Sequence, residues 1–202
     1  MATFQEMYDE VVILTKRPDL IDKTKQAVKS ATLFTHNSGF YPRDVSESGL
    51  KFNDPGFIQN FDPKNIWPLF RKIKYIRRWN YDAADPNYGK VGPFFKPIEI
   101  GQSVDAYGYD KQDVFYLAGQ LQQIRSSLEF QYALAGAYLY PNVTESNYAS
   151  WIADEFPFAI IYDAARRVSS GIGFREDAQD FQAQTQEVMS EILLMSDDMP
   201  GE

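Results

Sequence analysis

A run of apolar side chains toward the C-terminal end constrains this chain more than any other feature. Phe174, Ala178, Phe181, Thr185, Val188, Ile192 and Met195 recur in alternating steps of four and three, over about three heptads. That spacing places them on one face of an α-helix, and a face of that length needs partner helices to cover it. Three further stripes in the same chain can supply them. Thr3-x-x-Glu6 is a capping box, and Phe4, Met7, Val11 and Leu14 follow at helical spacing, which predicts a helix over residues 4–15. Pro18 suits the first position of a second helix, Asp19 and Asp22 favour its positive end, and Leu20, Thr24, Ala27, Ala31 and Phe34 form its stripe up to Asn37-Ser38-Gly39. Pro157 opens a third helix carrying Phe158, Ile161, Ala165 and Val168, which Gly171 and Gly173 end.

Between these helical ends the texture changes. Glycines and prolines punctuate short runs such as Lys72–Ile76, Phe94–Ile100 and Asp113–Leu117, and most of the 15 Phe, 13 Tyr and 3 Trp fall between Phe40 and Tyr140. Aromatic, punctuated runs suit half-buried pleated strands. Gln120–Ser126 and Glu129–Tyr140 are expected to form a further strand pair. The predicted class is α+β: a four-helix bundle of two N-terminal and two C-terminal helices, with a β-rich insertion, sandwich or small barrel, between the second and third. The expected domains are 1–39 with 145–196 for the bundle, 40–144 for the insertion, and a flexible tail at 197–202. Met7, Val11, Phe34, Ile161, Phe181, Val188 and Ile192 are the expected bundle core. The insertion is expected to project from the bundle as a surface for contacts.

Several chemistries are disfavoured by what the chain does not contain. It has no cysteine, so disulfides, thiolate nucleophiles and cysteine-held metals are out. His36 is its one histidine, which leaves no pair of imidazoles for a histidine-rich metal site. No Gly-x-Ser-x-Gly elbow, phosphate-cradling loop or dinucleotide-binding turn occurs. The expectation is a protein without catalytic, metal or cofactor residues, in which His36 is structural and sits near a helix end, although one histidine could still serve a triad. No stretch reaches the roughly 18 apolar residues of a membrane span, and the start carries no basic-then-apolar leader, so the chain is read as cytosolic at synthesis. Asn142-Val143-Thr144 matches a glycosylation acceptor but is read as a chance match.

Charge is unevenly placed. The net charge is −8, and residues 145–202 hold twelve acidic side chains against Arg166, Arg167 and Arg175. Glu176, Asp180, Glu187 and Glu191 fall within about 60° of one another on a helix, which is either a plain solvated face or a surface that repels phosphate where DNA must pass. Lys64, Arg71, Lys72, Lys74, Arg77 and Arg78 occur without an intervening acid and are interleaved with Trp67, Phe70 and Tyr75. They read as a basic contact strand: a stripe of snorkelling side chains, an interface with an acidic neighbour, or a platform for single-stranded nucleic acid.

The opening helix, then Thr15-x-Arg17-Pro18-Asp19-Leu20, then His36 with Phe40, Tyr41 and Arg43-Asp44, resembles the head-to-tail adaptor (connector, head-completion) proteins of tailed bacteriophages. Trp151-Ile152-Ala153-Asp154-Glu155, Ile160, Ile161, Ala164-Ala165-Arg166 and Gly171-x-Gly173 resemble them too. The likeness covers both helical pairs and, more loosely, the insertion. It implies a structural virion protein, assembled in the host cytoplasm and placed at the head-to-tail interface. It implies a homo-oligomeric ring, usually of twelve copies, that docks on the portal, meets a tail or nozzle protein, and lines a channel that double-stranded DNA crosses in transit. It also implies that the C-terminal segment, Ser196, Asp197, Asp198, Met199, Pro200, Gly201 and Glu202, reaches the portal, with the acidic stripe as a channel face. Two other readings stand beside it: a carbohydrate-binding or glycosidase-like β-rich protein, and a single-stranded nucleic-acid-binding module built on Lys64–Arg78.

Overall fold

The computed structural model describes residues 2–53, 57–81, 88–98, 113–118, 121–126 and 131–197. The chain divides into two compact units, one built from both ends of the chain (residues 1–44 and 140–202) and one from the stretch between them (45–139). The class is α+β, with N-terminal and C-terminal helices packed together and two four-stranded sheets inserted between them in sequence.

In the helical unit, α1 (Phe4–Thr15) starts on the capping box read from the sequence: Thr3 Oγ1 accepts from the Glu6 amide at 3.2 Å, and Glu6 Oε2 accepts from the Thr3 amide at 2.7 Å. Helix α2 (Ile21–Asn37) begins later than Pro18 suggests. Residues 17–20 form a turn closed by Leu20 N–H on the Arg17 carbonyl, and Arg17 grips Asp19 with two hydrogen bonds of 2.8 and 2.7 Å. The guanidinium holds the Asp19 carboxyl down at about 2. A single turn of helix, α4 (Trp151–Glu155), leads into α5 (Pro157–Gly171), and α6 (Arg175–Asp197) follows. The α5–α6 corner is closed by amides of Gly173 and Phe174 bonding back to Ser170 and Ser169. Gly173 sits there at φ 87°, a conformation that favours glycine.

Helix α5 is the hub, packing against α1, α2, α4 and α6. Ala159, Ile160, Ile161, Ala164, Ala165 and Val168 are all buried, and the small alanines let neighbouring helices approach closely. Asp163 is buried among them, its charge met by Arg166 at 2.6 Å and Arg167 at 2.6 Å one turn on. The expected core residues Met7, Val11, Ile161 and Ile192 are buried, while Phe181 and Val188 are half-buried against the same cluster. Phe34 corrects the expected stripe: it is 47% exposed. Helix α2 buries Thr24, Ala27, Val28, Ala31, Thr32, Thr35 and His36 instead, a face on which Thr32, Thr35 and His36 bond internally, and Phe34 lies outside it beneath the Arg167 guanidinium at 5.5 Å. Phe158 likewise leaves its expected stripe and is 46% exposed. Phe174 lies just outside α6, and it and Met195 at the two ends of that helix's expected seam are exposed.

In the other unit, β1 (Val45–Lys51), β8 (Tyr132–Leu139), β3 (Phe70–Trp79) and β4 (Val91–Phe94) form one antiparallel sheet in that order. The second sheet runs β2 (Gln59–Asn60), β7 (Leu121–Arg125), β6 (Val114–Ala118), β5 (Lys96–Pro97), and a short helix α3 (Pro63–Ile66) precedes β3. Leu50, Ile76, Ala133, Ala135 and Ala137 of the first sheet share a core with Ile124 of the second. The expected pairing of 120–126 with 129–140 does not form: β7 pairs with β6 and β2, and β8 with β1 and β3, because each strand carries its buried residues into a different sheet.

Ile161→Ala should cost about 2 to 5 kcal/mol of stability in chemical denaturation, whereas Phe34→Ala should cost under about 1 kcal/mol, since the second site leaves no core cavity. Burial pushes the Tyr148 hydroxyl up to about 12. The folded state therefore holds this proton where the unfolded chain has lost it, and stability should fall as pH rises from about 10 through about 12. Parallel melts of Tyr148→Phe should show a shallower fall over that window.

Candidate functional site

Six residues singled out in the sequence, His36, Tyr41, Arg43, Asp44, Trp151 and Glu155, meet in one place in the helical unit. The last turn of α2 delivers His36, a 3-10 turn at Pro42–Asp44 delivers Asp44, and the N-terminus of α4 delivers Ser150 and Trp151. Asp44 Oδ1 accepts two hydrogen bonds, from His36 Nδ1 at 2.9 Å and from Trp151 Nε1 at 2.8 Å. Its Oδ2 is buried without a partner among the described residues, so the hydrogen bonding of this carboxylate runs through Oδ1. His36 Nε2 lies 2.9 Å from Ser150 Oγ, and that oxygen also caps α4 by accepting from the Ala153 amide at 3.1 Å. The carboxylate can only accept, so His36 Nδ1 carries a proton and donates to it.

Aromatic rings close over these polar bonds. The Trp151 ring meets Tyr41 edge-on at 5.3 Å and His36 at 5.9 Å. Tyr41 packs so tightly on Gly39 that a Cβ there would lie 2.9 Å from its ring. The Arg43 guanidinium sits 5.3 Å above Trp151 and pairs with Glu155, forming a half-exposed lid on a buried network.

The Asp44–His36–Ser150 order is that of a nucleophilic triad. Its surroundings are those of a structural lock. All three residues are buried, and the serine oxygen is committed to the α4 cap. The neighbouring cavity of about 70 Å³ is lined by Tyr41, Pro42, Arg43, Trp151, Glu155, Phe156, Ile192 and Met195. Ser150 does not border it. The sequence signal that could have found this network is Ser150 itself, placed as an N-cap directly before the helical segment at Trp151.

The other predicted site residues lie elsewhere. Glu176, Asp180, Glu187 and Glu191 are all exposed along α6, on the side away from buried Thr185, Met189 and Ile192. Leu193, Leu194 and Met195 are exposed near the end of that helix. Ser196 and Asp197 belong to its last turn, and Asp198–Glu202 lie outside the described residues. Of the basic group, Lys64 is in α3, not on a strand, and the other five are on β3. Lys72 and Lys74 are exposed. Arg78 pairs with buried Asp113, and Arg77 lies 4.9 Å from the Phe94 ring, so these two cations are engaged within their own unit. Asn142 of the glycosylation match accepts from the Thr144 amide and hydroxyl in a local turn.

Among the described residues no group of three acidic or histidine side chains is placed to hold a metal ion, and no helix is long and apolar enough to cross a membrane. No family model matches the chain, and no curated protein matches it.

Asp44→Ala strands two buried donors and should cost about 3 to 5 kcal/mol in urea denaturation, while Trp151→Phe keeps the ring packing, loses one bond, and should cost about 1 to 2 kcal/mol.

Proposed function

We propose that this chain is a head-to-tail adaptor of a tailed bacteriophage, a structural virion protein that forms a ring on the portal and joins it to the tail or nozzle. The observation that carries this reading is the convergence of six of the resemblance residues. His36, Tyr41, Arg43 and Asp44 from the first part of the chain and Trp151 and Glu155 from the last part resemble one family in sequence, and they are the residues that bond to one another in space. A likeness scattered over unrelated surface positions would carry far less weight.

Two surface properties support the same reading. The acidic face of α6 would repel the phosphates of DNA in transit, so a channel lined by it would let the duplex slide without binding. Exposed Leu193, Leu194 and Met195 give that helix an apolar end that an assembled neighbour could cover. The segment from Ser196 to Glu202, directly beyond them, is the proposed contact with the portal.

The test is electron microscopy of the purified protein with and without the portal oligomer of the same phage. The expected result is a ring coaxial with the portal, absent or incomplete without it, and lost on truncation after Met195. A tight two-fold dimer that ignores the portal would overturn the assignment.

A further inference from the structure

A second feature of the helical unit, independent of the adaptor reading, is an open groove of about 500 Å³ between α1 and the α4–α5 junction. Its floor is apolar, with Met7 and Ile161 both buried beneath it. Phe158 forms an open wall, and Ile13, one turn beyond Asp9 on α1, leaves a second large aliphatic side chain 63% exposed. Carboxylates stand on both sides. Glu6, Asp9 and Glu10 are spaced by three and one along α1, and Asp154 faces them from the end of α4. No lysine, arginine or histidine is among the residues that line the groove.

The local structure accounts for only part of this acidity. Glu6 belongs to the capping box, and Asp154 accepts from the Ala2 amide at 2.5 Å. Asp9 accepts from the Gln5 amide nitrogen at 2.7 Å, a neutral donor that leaves its charge uncompensated. All four carboxylates are exposed; the N-terminal ammonium acts on Glu6, and Asp9 and Glu10 carry negative charge to the groove mouth. An apolar floor flanked on both walls by anions is complementary to a segment with an apolar stripe between rows of lysine or arginine. We propose that this groove docks a basic amphipathic helix of another protein, its apolar side chains on Met7, Ile161 and Phe158 and its cations toward Asp9 and Glu10.

Fluorescence anisotropy tests this with a labelled peptide of about 18 residues, built from leucine and lysine at helical spacing, and with the same peptide carrying glutamate in place of lysine. The lysine peptide should bind in a salt-sensitive manner and the glutamate peptide should not. Asp9→Asn with Glu10→Gln, and separately Phe158→Ser, should each weaken binding about tenfold or more, the first pair also flattening the salt dependence. These positions are exposed, and circular dichroism confirms that the variants fold. Glu187→Gln with Glu191→Gln on α6 should leave affinity within about twofold. Absence of binding would overturn the proposal, as would equal weakening by the α6 pair, which would reduce the effect to general acidity. If the groove variants altered only self-association in sedimentation, the groove would be a contact between copies of this chain and the proposal would fail.

Discussion

One buried carboxylate holds the two ends of the helical unit together. Asp44 accepts from His36 on α2 and from Trp151 on α4, which are separated by more than a hundred residues of sequence. An ionised carboxylate out of water is costly unless it is bonded, and here it is bonded by two ring N–H groups whose orientations are in turn fixed by packing. The rest follows from that arrangement. With Asp44 in place, His36 is oriented toward Ser150, Ser150 caps α4, and α4 sets the entry of α5, the helix on which the remaining three are packed.

Helix α5 succeeds as a hub because its faces are small and its one buried charge is locally met. Ala159, Ala164 and Ala165 admit neighbours at close range, while Asp163 is held by Arg166 and Arg167 from its own helix and needs no partner elsewhere. Arg167 then reaches over Phe34, which explains how a large aromatic ring can stand outside the core without lying bare. The exposed side of α6 is left free of packing duties, and that is where the acidic stripe and the apolar end are found.

The helices were legible because their signals are local: a capping box at Thr3, Pro157 opening α5, Gly173 closing it, and stripes repeating at helical spacing. Lys72–Ile76 and Asp113–Leu117 were legible as strands for the same reason, whereas the run Phe94–Ile100 is broken between β4 and β5, which belong to different sheets, and its last two residues lie outside the described residues. What sequence spacing could not give was partnership at a distance. Periodicity alone put Phe34 on the inner face of α2, but Thr32, Thr35 and His36 win that face because their polar atoms find bonds within the unit, such as Thr32 with the Val28 carbonyl and with Tyr148. Two adjacent strands were expected to pair, yet β7 and β8 belong to different sheets, a choice made by long-range burial. His36 was rightly placed near a helix end, but its partners Asp44 and Ser150 lie 8 and 114 residues away, and only the second was beyond any local reading.

The functional reading depends on this lock being the element through which both chain ends form one unit, and the indole proton of Trp151 reports on it directly. In a nuclear magnetic resonance hydrogen-exchange experiment, the Trp151 Nε1–H signal, assigned by its loss in Trp151→Phe, should exchange only with global unfolding of the helical unit, as slowly as the amides of α5. In Asp44→Asn it should lose much of that protection. Exchange of the Trp151 indole at the rate of an exposed side chain, with α5 still protected, would contradict the account.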